Sequence, residues 1–500
     1  MQRADRATIE AGTPGHVLME RAGRAAARAA LRVAGGRYGR RAAVVCGPGN
    51  NGGDGFVAAR ALRRAGMAVT CLLVGNEESI RGDALLHLGR MKREGIELDS
   101  FDGRGLLGAG VIVDALFGTG FRGSAEGDTA AAIDAMNSCR APVVAIDIPS
   151  GVAGATGRVD GPAVNAAVTV AMGAEKIGTA LPPGSLHAGT VDVVDIGIAL
   201  DFERDVDLRI AELVDVRAVM RARPPDAHKR SAGSVVLIAG SDATRGAPIL
   251  AARGAIRAGA GYVTLVTTPA VKAALATSVP EALCEATNAT TLGPEALDDF
   301  GAAIGRADAV ALGPGLGIGD AQRDLVRRAV TEIDKPLVLD ADALNVLAGA
   351  GGASLDRTLP FILTPHPAEL ARLLGRTTEE VVGDRLDAAR SAARLFPHTV
   401  VLAKGHRSIV VWNGGSDAVV VPVGGPELAT AGTGDVLTGA LAATLAAGTP
   451  ASDAAWAGAW LHASAGAEAA ALRGAEGVAA GDVADCLGPA RAELSSALRA

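Results

Sequence analysis

Residues 41–55 read Arg41-Ala42-Ala43-Val44-Val45-Cys46-Gly47-Pro48-Gly49-Asn50-Asn51-Gly52-Gly53-Asp54-Gly55, and an Ala-rich stretch follows. A short apolar run, a glycine-rich turn and a helical segment in that order make the repeating unit of a parallel α/β fold, because parallel strands need a crossover that a helix supplies. The glycines are expected to permit positive φ and to let backbone N–H groups approach a ligand, and the N-terminus of the helix behind them favours an anion. Gly47, Gly49 and Gly52 satisfy G-x-G-x-x-G, so an ordinary dinucleotide site has to be weighed. The ribose-binding acid of such a site should end the second strand about 20 residues on. Here the first candidate is Glu77, late and outside the strand. The turn also carries Asn50, Asn51 and Asp54, whose oxygens suit a hard cation or a substrate amide better than a bare turn requires.

Outward from this stretch the same grammar recurs. In a first block the apolar runs are 41–46, 68–74, 110–116, 142–148, 164–172 and 190–198. In a second they are 234–240, 262–268, 307–312, 336–340, 361–363, 399–402 and 408–412. Between them, residues 208–230 are charged, contain Arg221-Ala222-Arg223-Pro224-Pro225 and show little strand character, which reads as an inter-domain connection. The expectation is two α/β domains, 1–207 and 208–500, in a chain of 500 residues that is too long for one core.

Composition narrows the function classes. Lys+Arg 48 against Asp+Glu 55 gives a net charge of -7, and aromatics are only 3%. Nucleic-acid partners want basic surfaces and stacking platforms, so none is expected. No apolar run reaches the 18 to 20 or so residues of a membrane span. The longest, 436–448, carries Thr438 and Thr444 and stops near Pro450, so no membrane partner is expected. The N-terminus, with Arg3, Asp5, Arg6 and Glu10, shows no apolar leader. Five scattered cysteines without a C-x-x-C pair fit a reduced, cytoplasmic setting. The histidines and cysteines form no zinc-like spacing, no G-x-S-x-G occurs, and none of the six lysines completes a Walker A motif.

Two further turns belong with the first. Asp114 ends an apolar run before Phe117-Gly118-Thr119-Gly120, and Asp147 ends another before Pro149-Ser150-Gly151. In a parallel sheet ligands bind beyond the carboxyl ends of the strands, so three polar turns converge there.

Residues 1–36 with Leu18-Met19-Glu20-Arg21-Ala22-Gly23, together with 47–55, 114–120 and 147–151, resemble the NAD(P)H-hydrate epimerase family. The resemblance covers the whole first block and implies a Rossmann-like three-layer domain that epimerises hydrated NADH or NADPH. It also implies that the hydrate is bound by Asn50, Asn51, Gly52, Gly53 and Asp54, by Gly118, Thr119, Gly120, Phe121, Arg122 and Gly123, and by Asp147. Asn51, Asp114 and Ser150 would hold a potassium ion, and Asp147 would be the acid/base. Arg21 stands where relatives are expected to carry Asn.

In the second block the telling stretch is Ala431-Gly432-Thr433-Gly434-Asp435-Val436-Leu437-Thr438-Gly439, a small-residue turn opening a helix. Unhindered N–H groups at such a helix start form an anion hole, and an acid at its mouth can take the proton of a hydroxyl being phosphorylated. A neighbouring phosphate would raise the pKa of Asp435. Lys404-Gly405 after run 399–402, with His406, Arg407 and Ser408 beside it, offers a flat cradle for a nucleotide, although Lys404 alone would also suit a surface turn. Gly313-Pro314-Gly315-Leu316-Gly317 permits close backbone approach or makes a tight βα turn, and His366 sits at a strand end before a Pro-started helix.

Segments 231–260, 312–317, 338–345, 363–369, 401–408 and 428–439 resemble the ribokinase-like NAD(P)H-hydrate dehydratases. That resemblance implies a ribokinase-like α/β domain that uses ADP, with Mg2+, to phosphorylate the hydrate's hydroxyl, after which phosphate leaves and the dihydronicotinamide is restored. Ala247, Gly315, His366 and Asp435 would contact the hydrate, Asp435 as catalytic base, while Lys404, Gly405, His406, Arg407, Ser408 and Gly434 would hold the adenine nucleotide. A bifunctional, homo-oligomeric repair enzyme for hydrated NADH and NADPH is the expectation. The alternative is a vitamin or sugar kinase with a nucleotide-binding regulatory domain in front.

Overall fold

The computed structural model describes residues 2–36, 38–201, 204, 206, 208–220, 222–349, 357 and 359–496. The chain divides into two compact units, Met1–Val206 and Asp207–Ala500.

The first unit is built on β1 (Arg41–Cys46), β2 (Ala68–Leu73), β3 (Leu98–Ser100), β4 (Val111–Ala115), β5 (Val143–Ile146), β6 (Val168–Met172) and β7 (Thr190–Val194). They form one sheet in the order β3-β2-β1-β4-β5-β6-β7, with every neighbouring pair parallel. Because successive side chains alternate faces, Val44 and Cys46 of β1 enter one core and Ala43 and Val45 another. Two cores with a sheet between them are the three layers of a doubly wound fold. The order reverses between β1 and β4, so the crevice expected of such a sheet opens at the carboxyl ends of those strands.

The glycine-rich turn is where the structure corrects the sequence reading. The helix Asn50–Arg64 begins at Asn50, so Asn50 to Asp54 lie in its first turns and not in a loop ahead of it. None of Gly47, Gly49, Gly52, Gly53 and Gly55 has a positive φ. Space explains four of them. A Cβ on Gly52 would lie 1.8 Å from the Gly47 carbonyl oxygen, on Gly47 2.2 Å from that of Leu116, on Gly53 2.5 Å from Met19 Sδ, and on Gly55 2.6 Å from Cys46 Sγ. The helix is thus pressed onto the strand ends, with its start brought up to the sheet rim. We expect Gly52→Ala to cost about 1–3 kcal/mol, the usual penalty of overpacking. A lowered urea midpoint for the first unit would show it, and an unchanged midpoint would mean that the helix shifts freely.

The second unit carries β8 (Arg209–Ile210), β9 (Ser234–Ile238), β10 (Tyr262–Thr267), β11 (Leu283–Ala286), β12 (Ala309–Leu312), β13 (Leu337–Leu339), β14 (Phe361–Leu363), β15 (Thr399–Ala403), β16 (Ser408–Trp412) and β17 (Asp417–Val421). Their order is β11-β10-β9-β12-β13-β14-β15-β16-β17-β8, reversing between β9 and β12. The pairs are parallel except β15 with β16 and β16 with β17, which turn back as antiparallel hairpins. Val235 and Leu237 face one core, Val236 and Ile238 the other. Residues 208–230 are not a bare connection: β8 pairs with β17 and is followed by the helix Leu213–Val219. Strands β3, β8, β11 and β17 escaped the sequence reading. On one face the helices Gly246–Ala258 and Thr433–Ala446 touch backbone to backbone. A Cβ on Gly439 would lie 2.0 Å from the Ala251 carbonyl oxygen, and one on Gly254 2.4 Å from that of Val436.

Candidate active sites

In the first unit a cavity of about 820 Å³ opens beyond the carboxyl ends of β1, β4 and β5. It gathers Asn50, Asn51, Asp54, Gly118, Thr119, Gly120, Phe121, Arg122 and Asp147. Gly52 and Gly53 are buried, Gly123 lies outside the lining, and Asp114 and Ser150 stand fully buried behind it. The loop that carries Gly118 is stiffened by Phe117 and Phe121, whose rings stack 4.7 Å apart.

Asp114 and Ser150 form one buried unit. Asp114 accepts from the Ser150 hydroxyl at 2.6 Å and from the Ser150 and Leu116 N–H groups at 2.8 and 3.2 Å. The Ser150 hydroxyl oxygen in turn accepts from the Phe117 N–H at 2.9 Å, and the Asn51 amide donates to the Phe117 carbonyl at 2.8 Å. Burial pushes the Asp114 carboxyl up to about 6, against the hydrogen bonds from Ser150. An all-oxygen set of one carboxylate, one hydroxyl, one carbonyl and one amide is the chemistry of a hard cation. Among the described residues no group of three or more His, Cys, Asp or Glu is placed to hold a metal ion.

Asp147 follows β5 with φ at +67°, a conformation that costs a non-glycine residue about 1–3 kcal/mol. Its N–H donates to the Val170 carbonyl at 2.8 Å, and its carboxylate accepts from the Met172 N–H at 3.2 Å and pairs with Lys176. The Lys176 ammonium also donates to the Met172 carbonyl at 2.8 Å and is 5% exposed, yet it lines the cavity. Asp5 and Asp54 face the same space. Burial, with the Asp147 charge next, raises both, Asp54 well above the ordinary value. The sequence reading missed Lys176 and Asp5. Nothing local marks either of them.

In the second unit the centre is Asp340, just past β13 and 1% exposed. Its carboxylate accepts from Lys404 Nζ and from the Thr364 hydroxyl at 2.7 Å each, and from the Thr438 hydroxyl at 2.6 Å. Burial pushes this carboxyl up, but the Lys404 ammonium and the hydroxyl donors outweigh that and hold it below its ordinary value. Lys404, whose side chain keeps 18% exposure, has the converse balance: burial lowers it, and Asp340 and Glu369 raise it further. Lys404 is therefore no surface-turn lysine but a paired cation at the rim. Glu369, 3.9 Å from it, is raised by burial.

Asp435 sits in the first turn of the helix Thr433–Ala446, capped by Gly432 at φ +92°. The first N–H groups of a helix lack intrahelical partners. Gly434 faces Lys404, whose Nζ would lie 3.6 Å from a Cβ there. Burial, then the Asp340 charge, pushes Asp435 up to about 7 even without the phosphate that the sequence reading invoked. His366 is the cap of the helix Pro367–Leu374: its Nδ1 accepts from the Ala368 and Glu369 N–H groups at 3.1 and 3.3 Å. Burial, with Lys404 next, lowers its pKa, so it stays neutral near pH 7. Gly315, at φ +64°, lies against Thr244, just ahead of the helix that carries Ala247, and Leu250 of that helix packs on Gly432. Gly405, His406 and Arg407 lie in the β15–β16 loop and Ser408 opens β16, its hydroxyl donating to the Gly405 carbonyl at 3.1 Å. The sequence reading did not single out Asp340, Thr364 or Glu369, nor Arg385, which lies buried against this loop.

Two parallel α/β units, each with a carboxylate at a switch-point rim beside a helix start, define a nucleotide-handling enzyme whose second unit has the ribokinase-like fold. A ribokinase-like superfamily protein of Enterococcus faecalis superimposes at TM-score 0.50 with 24% identity, over 58% of this chain and 97% of its own. A family model described as NAD(P)H-hydrate dehydratase matches residues 235–488, and one described as YjeF-related protein N-terminus matches residues 15–178. The bifunctional NAD(P)H-hydrate repair enzyme of Moorella thermoacetica is 39% identical over 97% of this chain and 94% of its own. The crystal structure of the ADP/ATP-dependent NAD(P)H-hydrate dehydratase from Bacillus subtilis, co-crystallised with ATP/Mg2+, gives TM-score 0.50 at 29% identity, over 58% of this chain and 99% of that one. The chain belongs to the bifunctional NAD(P)H-hydrate repair enzyme family.

Proposed function

We propose that the first unit interconverts the R and S epimers of hydrated NADH and NADPH, and that the second dehydrates the S form at the expense of ADP. The hydrate's hydroxyl takes the terminal phosphoryl group of ADP, leaving AMP, and phosphate then departs from the ring while the neighbouring ring carbon gives up a proton to solvent and the dihydronicotinamide double bond re-forms. One observation carries the reading of the second unit: Asp435, poised near neutrality, stands at a helix start beside the Lys404–Asp340 pair. As base it takes the hydroxyl proton, while the helix N–H groups face the developing charge. Lys404, Gly405, His406, Arg407, Ser408 and Gly434 would hold the nucleotide, and Ala247, Gly315 and His366 the hydrate. Magnesium would ride on the nucleotide phosphates, which suits a rim with few uncommitted carboxylates, and would offset charge in transfer.

In the first unit Asp147 would move the proton at the reacting ring carbon, with Lys176 orienting its carboxylate. Asn50 to Asp54 and Gly118 to Gly123 would bind the hydrate, and Asn51, Asp114 and Ser150 would hold potassium, whose charge would steady the loop carrying Gly118. The five free cysteines support a cytoplasmic setting. Among the described residues no helix is long and apolar enough to cross a membrane.

The test mixes protein, both epimers of hydrated NADH, magnesium and ADP, and follows the return of dihydronicotinamide absorbance. Consumption of both epimers is expected. Consumption of S alone would remove the epimerase, and nucleotide turnover with an ordinary alcohol but not the hydrate would favour a vitamin or sugar kinase.

A further inference from the structure

Arg385 opens the helix Arg385–Leu395 and is 6% exposed. Its guanidinium lies against the β15–β16 loop, where Nη1 donates to the His406 carbonyl at 2.6 Å and Nη2 to those of Ala403 and Lys404 at 3.3 and 3.4 Å. Among the described residues no carboxylate pairs with it, and burial pulls its pKa down to about 10. Three carbonyl dipoles accept from its two terminal nitrogens but supply no net negative charge, which leaves a buried cation uncompensated.

The seating also sets the loop's peptide planes. In a trans peptide the C=O of one residue and the N–H of the next point opposite ways. Carbonyls drawn onto the guanidinium therefore turn the following N–H groups outward. That of Lys404 donates to the Pro365 carbonyl at 2.9 Å, while that of Gly405 follows the Lys404 carbonyl and turns away from Arg385. Gly405 has φ +148°, and a Cβ there would lie 2.8 Å from Arg385 Nη2, so glycine is required where the guanidinium needs room.

We infer that Arg385 is a positioning residue for nucleotide binding: it fixes the loop 404–408 so that the Gly405 N–H faces the diphosphate, and its own charge sits beneath that anion. The inference rests on reading 404–408 as the nucleotide loop, and the test separates the two.

Affinities of the full chain for ADP and AMP, with magnesium, are measured by calorimetry for wild type, Lys404→Met and Arg385→Lys, which keeps the charge but loses the planar fork. Arg385→Lys is expected to weaken ADP about ten-fold or more, the scale of hydrogen bonds to charged groups, and AMP much less. KM for ADP should rise while KM for the hydrate holds. A merely structural role would lower the melting temperature and scale both nucleotides alike, overturning the inference. If Lys404→Met leaves ADP binding untouched, the nucleotide-loop reading fails. If Lys404→Met weakens ADP and Arg385→Lys does not, only the role of Arg385 fails. Should Arg385→Lys not fold, amide exchange on wild type decides: ADP is expected to slow exchange at Gly405, and no slowing would overturn the proposal.

Discussion

Asp435→Asn is expected to lower dehydration of the S hydrate by about 10²–10⁴-fold, the range over which a positioned general base contributes. Epimer interconversion in the same chain should be untouched, which separates loss of chemistry from loss of protein. The substitution is nearly isosteric, so the helix start at Gly432 and the small-residue contact between Gly439 and Ala251 should survive it. Stability supplies an independent readout. A carboxyl whose pKa is raised on folding contributes most below the ordinary carboxylate range, and that contribution is lost as pH rises through about 7. Asp435→Asn should therefore melt higher than wild type at pH 8, with the gap closing toward pH 5. A variant that dehydrates at the wild-type rate would remove Asp435 as the base.

The same group sets the pH dependence. Asp435 has to be ionised to accept a proton, so kcat/KM for dehydration should rise with pH and level off above about 7. Asp340 helps to hold that value up, so Asp340→Asn, which removes a negative neighbour and frees the charge of Lys404, should move the acid limb to lower pH. An unmoved limb would mean that burial alone sets the value.

How far the sequence reached into this site depends on the range of each interaction. Asp147 was legible because a strand end followed by a small-residue turn is a local pattern, and Asp435 because a small-residue turn opening a helix is another. Lys176, Asp340 and Arg385 were not, because each acquires its meaning from a partner on another strand or helix: Asp147 for the first, Lys404 with Thr364 and Thr438 for the second, three loop carbonyls for the third. Gly47 to Gly55 were recognised as a ligand-bearing turn for a reason the backbone does not bear out, since a crowded helix–strand contact and a positive φ both leave a glycine in the sequence. The order of parallel strands followed from the alternation of runs and turns. Strand β8 did not, because two residues carry no periodicity and its partner β17 lies at the far end of the unit.

Asp147→Asn should reduce epimer interconversion, above the rate measured without protein, by about 10²–10⁴-fold. Dehydration of the S form should be intact, so a mixture of the two epimers would be consumed rapidly only to the extent of its S share. The loss follows from how the carboxylate is held. A positive φ aims it from the end of β5, the Met172 N–H fixes one oxygen, and Lys176, itself nearly inaccessible, balances its charge. The amide of Asn keeps the shape but neither accepts a proton nor pairs with the ammonium. Lys176→Met tests the same pair from the other side. Breaking a buried ion pair by removing one partner costs about 3–5 kcal/mol, so the first unit should melt earlier while the second keeps its dehydratase rate. Interconversion should fall with it, because Asp147 then loses the partner that orients its carboxylate. Wild-type interconversion in Asp147→Asn would place the proton transfer on another group.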